Sequence, residues 1–241
     1  MKEMLRLSGC RTRLLQAGFA VIASVMLLPA GASAGPQCTA SAAPGVDWSE
    51  CDKKLIMIGG SDFEGATLFG TDFTSTDLRD TNLVKANFEK ATLVRASLAG
   101  AKAAGARFDR IEAYRTNFSG MDAQGATFAA AEMQRSNLKN AVLTGVDFTK
   151  AELGRADFAG ADITGTSFML ANLARADLSG AKFSGPIDLS GAFLFLTRIE
   201  GLDLSAALGL QQWQVDMSCG DSDTRLPSGL KPAEGWPCSF D

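Results

Sequence analysis

From Ser61 to Gly185 the chain divides into 25 consecutive five-residue units without an insertion. Ser61-Asp-Phe-Glu-Gly, Thr76-Asp-Leu-Arg-Asp, Ala86-Asn-Phe-Glu-Lys and Ala171-Asn-Leu-Ala-Arg are examples. Leu, Phe, Ile or Met holds the third position in 22 of the 25, and only Ala103, Ala113 and Ala123 depart from it. The first position is usually Ala, Thr or Ser, and the second is often Asp, Asn or Thr. A period of five fits neither the 3.6 of an amphipathic helix nor the 2 of a half-buried strand. It requires a backbone that turns a corner once per unit.

A second period sets the number of corners in a coil. Phe88, Phe108, Phe128, Phe148 and Phe168 fall 20 residues apart, as do Arg95, Arg115, Arg135, Arg155 and Arg175. Glu112, Glu132 and Glu152 share that spacing. The five-residue period alone would not select the same unit in four each time. The simplest object with both periods is a solenoid of four-sided coils, stacked at about 4.8 Å, the usual strand spacing.

These units resemble the A(D/N)LXX pattern of the pentapeptide-repeat family, over roughly 55–206. The resemblance implies an all-β fold, a right-handed quadrilateral parallel β-helix. The first and third residues of each unit point inward, and the other three form the outer face and corners. Pro186 shifts the frame by one residue, after which Leu189, Leu194, Ile199 and Leu204 resume as centres. About seven coils are expected, a rod on the order of 35 Å long.

The ends divide off by composition. Residues 1–34 carry Lys2, Arg6, Arg11 and Arg13, then the largely apolar run "LLQAGFAVIASVMLLPA" and the small residues Ala32-Ser33-Ala34. That order reads as a secretory signal peptide cleaved after Ala34, leaving a periplasmic or secreted product that is not embedded in a membrane. Residues 35–54 are expected to cap the front with Trp48. Residues 207–241 are expected to cap the back, "SAALGLQQWQVDM" forming a short helix that lays Leu208, Leu210 and Trp213 over the last coil. Cys10 falls in the leader; Cys38, Cys51, Cys219 and Cys238 remain. An even set in an oxidising compartment reads as two disulfides. Three pairings exist, and the favoured one is local, Cys38–Cys51 and Cys219–Cys238.

The chain contains no histidine. That removes Ser-His-Asp and Cys-His chemistry and every histidine-based metal site, and no CxxC spacing accompanies the thiols. No catalytic residue, metal or cofactor is expected. Without the leader the net charge moves from −4 to −7, which argues against general nucleic-acid binding.

The outer faces differ. On one corner the fifth residue is repeatedly glycine: Gly65, Gly105, Gly125, Gly145, Gly165 and Gly185. Two faces away the same slot carries Arg95, Arg115, Arg135, Arg155 and Arg175. Stacked like charges repel, so the column needs compensation or a ligand. Compensation is expected from Glu112, Glu132 and Glu152 in the same units, and from Asp157 and Asp177 around the corner, as an interleaved salt-bridge ladder. The alternative is a docking stripe, with Val94 and Tyr114 beside the arginines, for an unknown protein or an anionic glycan; arginine's planar fork suits carboxylate and phosphate. Phe69, Met169 and Leu170 are further outward-facing apolar residues, the last two expected to lie beneath the cap.

These features point to a non-catalytic exported scaffold or protein-binding module. A polysaccharide-active β-helix enzyme is the competing reading, but units without insertions leave no loops to build a cleft. The resemblance also implies an acidic DNA-mimic that protects topoisomerases, a reading disfavoured by export and by the five arginines.

The stretch Ile111-Glu-Ala-Tyr-Arg departs from the repeat in a compensating way. Its inward pair is large then small, where the usual pair is small then large, and Met121 with Ala123 makes the same exchange. Both slots face one interior, so the swap approximately conserves core volume.

Overall fold

A computed structural model describes residues 35–239. The predicted leader, residues 1–34, lies outside the described residues.

The five-residue unit has a local cause. Its centre begins a β-turn: the Ala66 amide donates to the Phe63 carbonyl at 2.9 Å, and the Ala106 amide to the Ala103 carbonyl at 3.0 Å. The fifth residue of the unit sits in the left-handed region, with φ of 62° at Gly65 and 57° at Lys85. Positive φ at the third residue of a β-turn is the type II signature. Asp or Asn in the second slot supports the turn by accepting the amide two residues on, as Asp72 does from Thr74 at 2.9 Å and Asn117 from Ser119 at 3.1 Å. That is an Asx turn, and it explains why the slot favours these two residues.

Stacking follows from the extended part of each unit. Parallel bridges link second-slot residues 20 apart, from Asp47↔Thr67 through Asp162↔Lys182. Pro186 lengthens one coil, and the register becomes 21 at Ser167↔Asp188 and Asn172↔Phe193. The column Asp47, Thr67, Asn87, Arg107, Thr127, Asp147, Ser167, Asp188, Leu208 takes eight steps from coil to coil, about 38 Å at strand spacing. The ladder therefore reaches beyond 55–206 at both ends. It begins at Asp47, inside the segment expected only to cap, and takes in Cys219 and Arg225 from the tail.

The interior is built from the first and third slots. Phe88, Phe108, Phe128, Phe148 and Phe168 are fully buried and stack in one column, with centroids 4.9, 4.6, 5.2 and 5.5 Å apart. Ile111, Ala113, Met121 and Ala123 are all buried, so the exchanged pairs do occupy the core. Inward threonines are satisfied by the coil below: Thr116 donates to the Leu93 carbonyl at 2.6 Å and Thr166 to Leu143 at 2.9 Å.

Trp48 closes the front, edge-on to Phe63 at 5.1 Å, with the Lys53 ammonium 3.5 Å from its ring centroid. The disulfide Cys38–Cys51 holds the leading segment. At the back, helix α1 (Gln212–Met217) covers the last coil, but not with the residues expected. Leu210 is buried, whereas Leu208 and Trp213 face outward, Trp213 at 48 % exposure. The covering residues are Val215 and Gln214, the latter donating to the carbonyls of Leu189 and Ala192 at 2.8 and 2.9 Å. The helix is too short for periodicity to reveal its inner face, and the Gln214 amide supplies two donors, one to each carbonyl, where an indole has one. Cys219–Cys238 fastens the tail, and Trp236 donates from Nε1 to the Ser218 carbonyl at 2.8 Å. Among the described residues no helix is long and apolar enough to cross a membrane.

Candidate interaction face

The face built from units 91–95, 111–115, 131–135, 151–155 and 171–175 has three outward columns. The second slots hold Thr92, Glu112, Glu132, Glu152 and Asn172, bridged in that order. The fourth slots hold Val94, Tyr114, Gln134, Gly154 and Ala174, and the fifth slots hold the arginines. Each arginine is fixed through its backbone. The amides of Arg95, Arg115, Arg135, Arg155 and Arg175 donate to the carbonyls of Tyr114, Gln134, Gly154, Ala174 and Phe195 in the following coil, at 2.8–3.1 Å. All five have φ between 57° and 60°. A left-handed conformation costs a side-chain-bearing residue roughly 1–2 kcal/mol, so the slot is one that favours glycine.

The expected salt-bridge ladder does not form. The ten described arginines divide evenly. Arg79, Arg107, Arg110, Arg198 and Arg225 make ion pairs with carboxylates. The guanidinium groups of Arg95, Arg115, Arg135, Arg155 and Arg175 are exposed and have no hydrogen-bond or ion-pair partner among the described residues. The reason is the shape of the unit. Glu112 lies in the bridged stretch before the centre and Arg115 lies past it, in the β-turn that begins at Ala113, so the two side chains leave the backbone at opposite edges of one face. Around the corner the carboxylates are already engaged. Asp157 accepts from Lys139 at 2.9 Å, and Asp177 accepts from Arg198 at 2.9 Å.

The acidic column is equally unoccupied. Glu112 and Glu132 have no partner among the described residues, and Glu152 accepts only from Asn172, at 2.7 Å. Neighbouring like charges at strand spacing in water repel by about 1 kcal/mol per pair. One face thus carries a cationic edge and an anionic edge that do not meet.

Between the edges lies a mostly apolar strip. Tyr114 is 37 % exposed, and the Arg115 guanidinium carbon sits 5.2 Å from its ring centroid, a cation–π contact. Val94 is half-buried beside it. Toward the C-terminal end the same columns continue into Phe193 and Phe195, stacked at 6.2 Å and 43 % and 44 % exposed. The sequence reading did not single out these two phenylalanines. The signal was present, since with Leu194 as a centre they occupy the outward second and fourth slots. Met169 and Leu170, expected beneath the cap, are exposed; Phe69 is half-buried, with the Lys90 ammonium 5.1 Å from its ring centroid.

Concavities lie mainly elsewhere. One is lined by Gln212, Asp216, Lys231 and Glu234 in the tail; a shallow one at the first arginine is lined by Asp77, Arg79, Arg95 and Asn117. Among the described residues no cluster of three acidic or thiol side chains is arranged to hold a metal ion.

The chain is similar to the solved structure of HetL, a pentapeptide repeat protein involved in heterocyst differentiation regulation from the cyanobacterium Nostoc. Identity is 25 %, over 77 % of this chain and 91 % of that one, with a TM-score of 0.36. QnrB1, a plasmid-mediated fluoroquinolone resistance protein, is 20 % identical over 72 % of this chain and 86 % of its own, with a TM-score of 0.49. A pentapeptide repeat protein of the Arabidopsis thaliana thylakoid lumen is 32 % identical over 49 % and 68 %, with a TM-score of 0.18. No curated protein matches the sequence. Pentapeptide-repeat proteins fold as right-handed quadrilateral β-helices and are generally non-catalytic structural or binding proteins. The family model for pentapeptide repeats matches eight copies, at 59–93, 91–128, 124–158 and 151–185, along the coils described above, and the chain belongs to the pentapeptide-repeat family.

Proposed function

We propose that this protein is an exported, non-catalytic binding rod, and that the face bearing Arg95, Arg115, Arg135, Arg155 and Arg175 is where a partner docks. The observation that carries the reading is the even division of the arginines: those elsewhere pair with carboxylates, and this column pairs with none. A cation column whose left-handed backbone favours glycine contributes nothing evident to the rod that holds it. Export is supported by the basic and apolar leader ending at Ala32-Ser33-Ala34, and by two disulfides, which persist in oxidising compartments.

The test is capture from a periplasmic extract with wild type and with Arg115→Ala/Arg135→Ala/Arg155→Ala. The variant is expected to keep its thermal midpoint and to lose partners that the wild type retains. Recovery of the same partners by both proteins would sink the reading.

A further inference from the structure

The arginine-bearing face carries its own complement. Its cationic fifth-slot column runs the length of the face, and across the strip of Tyr114, Gln134 and Gly154 the anionic second-slot residues Glu112, Glu132 and Glu152 occupy the middle three coils of the same face. The two columns share one spacing, because both are set by the coil repeat. A rod with the same repeat can therefore match every charge along the column, whereas an extended peptide, with like-facing side chains about 6.6 Å apart, drifts out of step.

Symmetry decides the arrangement. A two-fold axis across the rods would lay each column on its own copy, arginine against arginine, which repels. A two-fold axis parallel to the rods, midway between the columns, lays the cationic edge of each copy on the anionic edge of the other. Arg115 and Glu112 belong to one unit and stand at one height, so the pairing is in register at each of the three coils that carry a glutamate. The fourth-slot strip then meets itself near the axis, bringing together Tyr114 and, at the C-terminal end, Phe195, with Phe193 flanking it in the second-slot column. Aromatic residues in a patch flanked by charge are the usual composition of an interface core and rim.

We propose that two copies of this chain associate side by side and parallel through this face, with Arg115, Arg135 and Arg155 of each copy pairing with Glu112, Glu132 and Glu152 of the other. The interface is isologous: residue i meets j, and j meets i. This inference rests on the docking-face reading above and names its partner as a second copy.

Sedimentation of the purified protein across concentration and salt tests it. Wild type is expected to dimerise, more weakly as salt rises. Arg115→Glu/Arg135→Glu makes both edges of the central face acidic, and Glu112→Arg/Glu132→Arg makes both basic. Each variant alone is expected to weaken dimerisation by on the order of tenfold per reversed residue, with an unchanged thermal midpoint. An equimolar mixture of the two is expected to form heterodimers, an acidic face on a basic one. Wild type that stays monomeric at every concentration and salt, or a mixture that fails to re-associate, overturns the dimer. Wild type that stays monomeric yet is retained on a sulfated polyanion, with retention lost in Arg115→Glu/Arg135→Glu, overturns the dimer and leaves the docking face intact. A monomer whose extract capture is also unaffected by the arginine variant overturns both.

Discussion

The Arg135 amide donates to the Gly154 carbonyl in the next coil at 2.9 Å, while the Arg135 guanidinium has no partner among the described residues. Backbone and side chain of this residue thus serve different ends. The backbone needs only an N–H and a left-handed φ of 60°, which glycine supplies without a Cβ penalty. Arg135→Gly is therefore expected to leave the fold intact, with a stability change between neutral and about 1 kcal/mol stabilising, glycine's extra freedom in the unfolded chain offsetting part of the relief. Urea unfolding of the single variant measures it. A loss of more than about 1 kcal/mol would mean that the guanidinium helps hold the rod, against its assignment to an interface.

The contrast between what the sequence reveals and what it conceals follows from the repeat itself. The unit length, the inward slots and the arginine column are all legible because one turn and one bridge recur every five residues. Pairing is not legible, because it depends on distances across a unit. Glu112 and Arg115 are close in sequence and look like a salt bridge, yet one precedes the β-turn that begins at Ala113 and the other lies within it, at opposite edges of the face. Lys139 and Asp157 are distant in sequence and meet at 2.9 Å because stacking brings neighbouring coils together. At the C-terminal end the pattern lapses into a six-residue helix, too short to reveal its facing, and Gln214 takes the inner place expected for Trp213.

The exchange of Ile111 and Ala113 makes a paired prediction in the core. Both side chains are fully buried, so Ala113→Leu adds volume where none is free and is expected to destabilise by about 1–3 kcal/mol. Ile111→Ala leaves a cavity and is expected to cost about 2–4 kcal/mol. The double variant restores the ordinary small-then-large pair and is expected to be more stable than either single one. Chemical unfolding of the three proteins decides the point; a double variant below both singles would refute the exchange.

Two first-slot hydroxyls in one column have opposite circumstances. The Thr116 hydroxyl donates to the Leu93 carbonyl at 2.6 Å, whereas the Ser136 hydroxyl, one coil on and as fully buried, has no partner among the described residues. Thr116→Val removes a made hydrogen bond, leaving the Leu93 carbonyl with only the Ala96 amide at 2.8 Å, an expected cost of about 1 kcal/mol. Ser136→Ala removes a buried polar group with nothing to lose, and is expected to be neutral or stabilising by up to about 1 kcal/mol. Equal destabilisation in thermal unfolding would show that Ser136 has found a partner after all.

Acid sensitivity should trace to the second-slot aspartates. The Arg79 guanidinium, with the Arg79 amide, holds Asp77 down at about 2 against an ordinary 3.8. Hydroxyl and then amide bonds from Ser49, Thr164 and Ser205 hold Asp47, Asp162 and Asp203 below the same value. A carboxyl with a depressed folded-state pKa contributes stability that is fully present above its unfolded value and is lost as pH falls through the folded one. The thermal midpoint is therefore expected to stay flat from neutral pH to somewhat above 3.8 and to fall between there and about 2. Asparagine keeps the acceptor oxygen without the titration, and Asn117 and Asn137 already accept the same amide two residues on, each at 3.1 Å. Asp47→Asn/Asp162→Asn/Asp203→Asn should thus match wild type in turn geometry and lose less stability on acidification. An acid limb as steep as that of wild type would place the sensitivity in other carboxyls held below their ordinary value, such as Asp77 and Asp72.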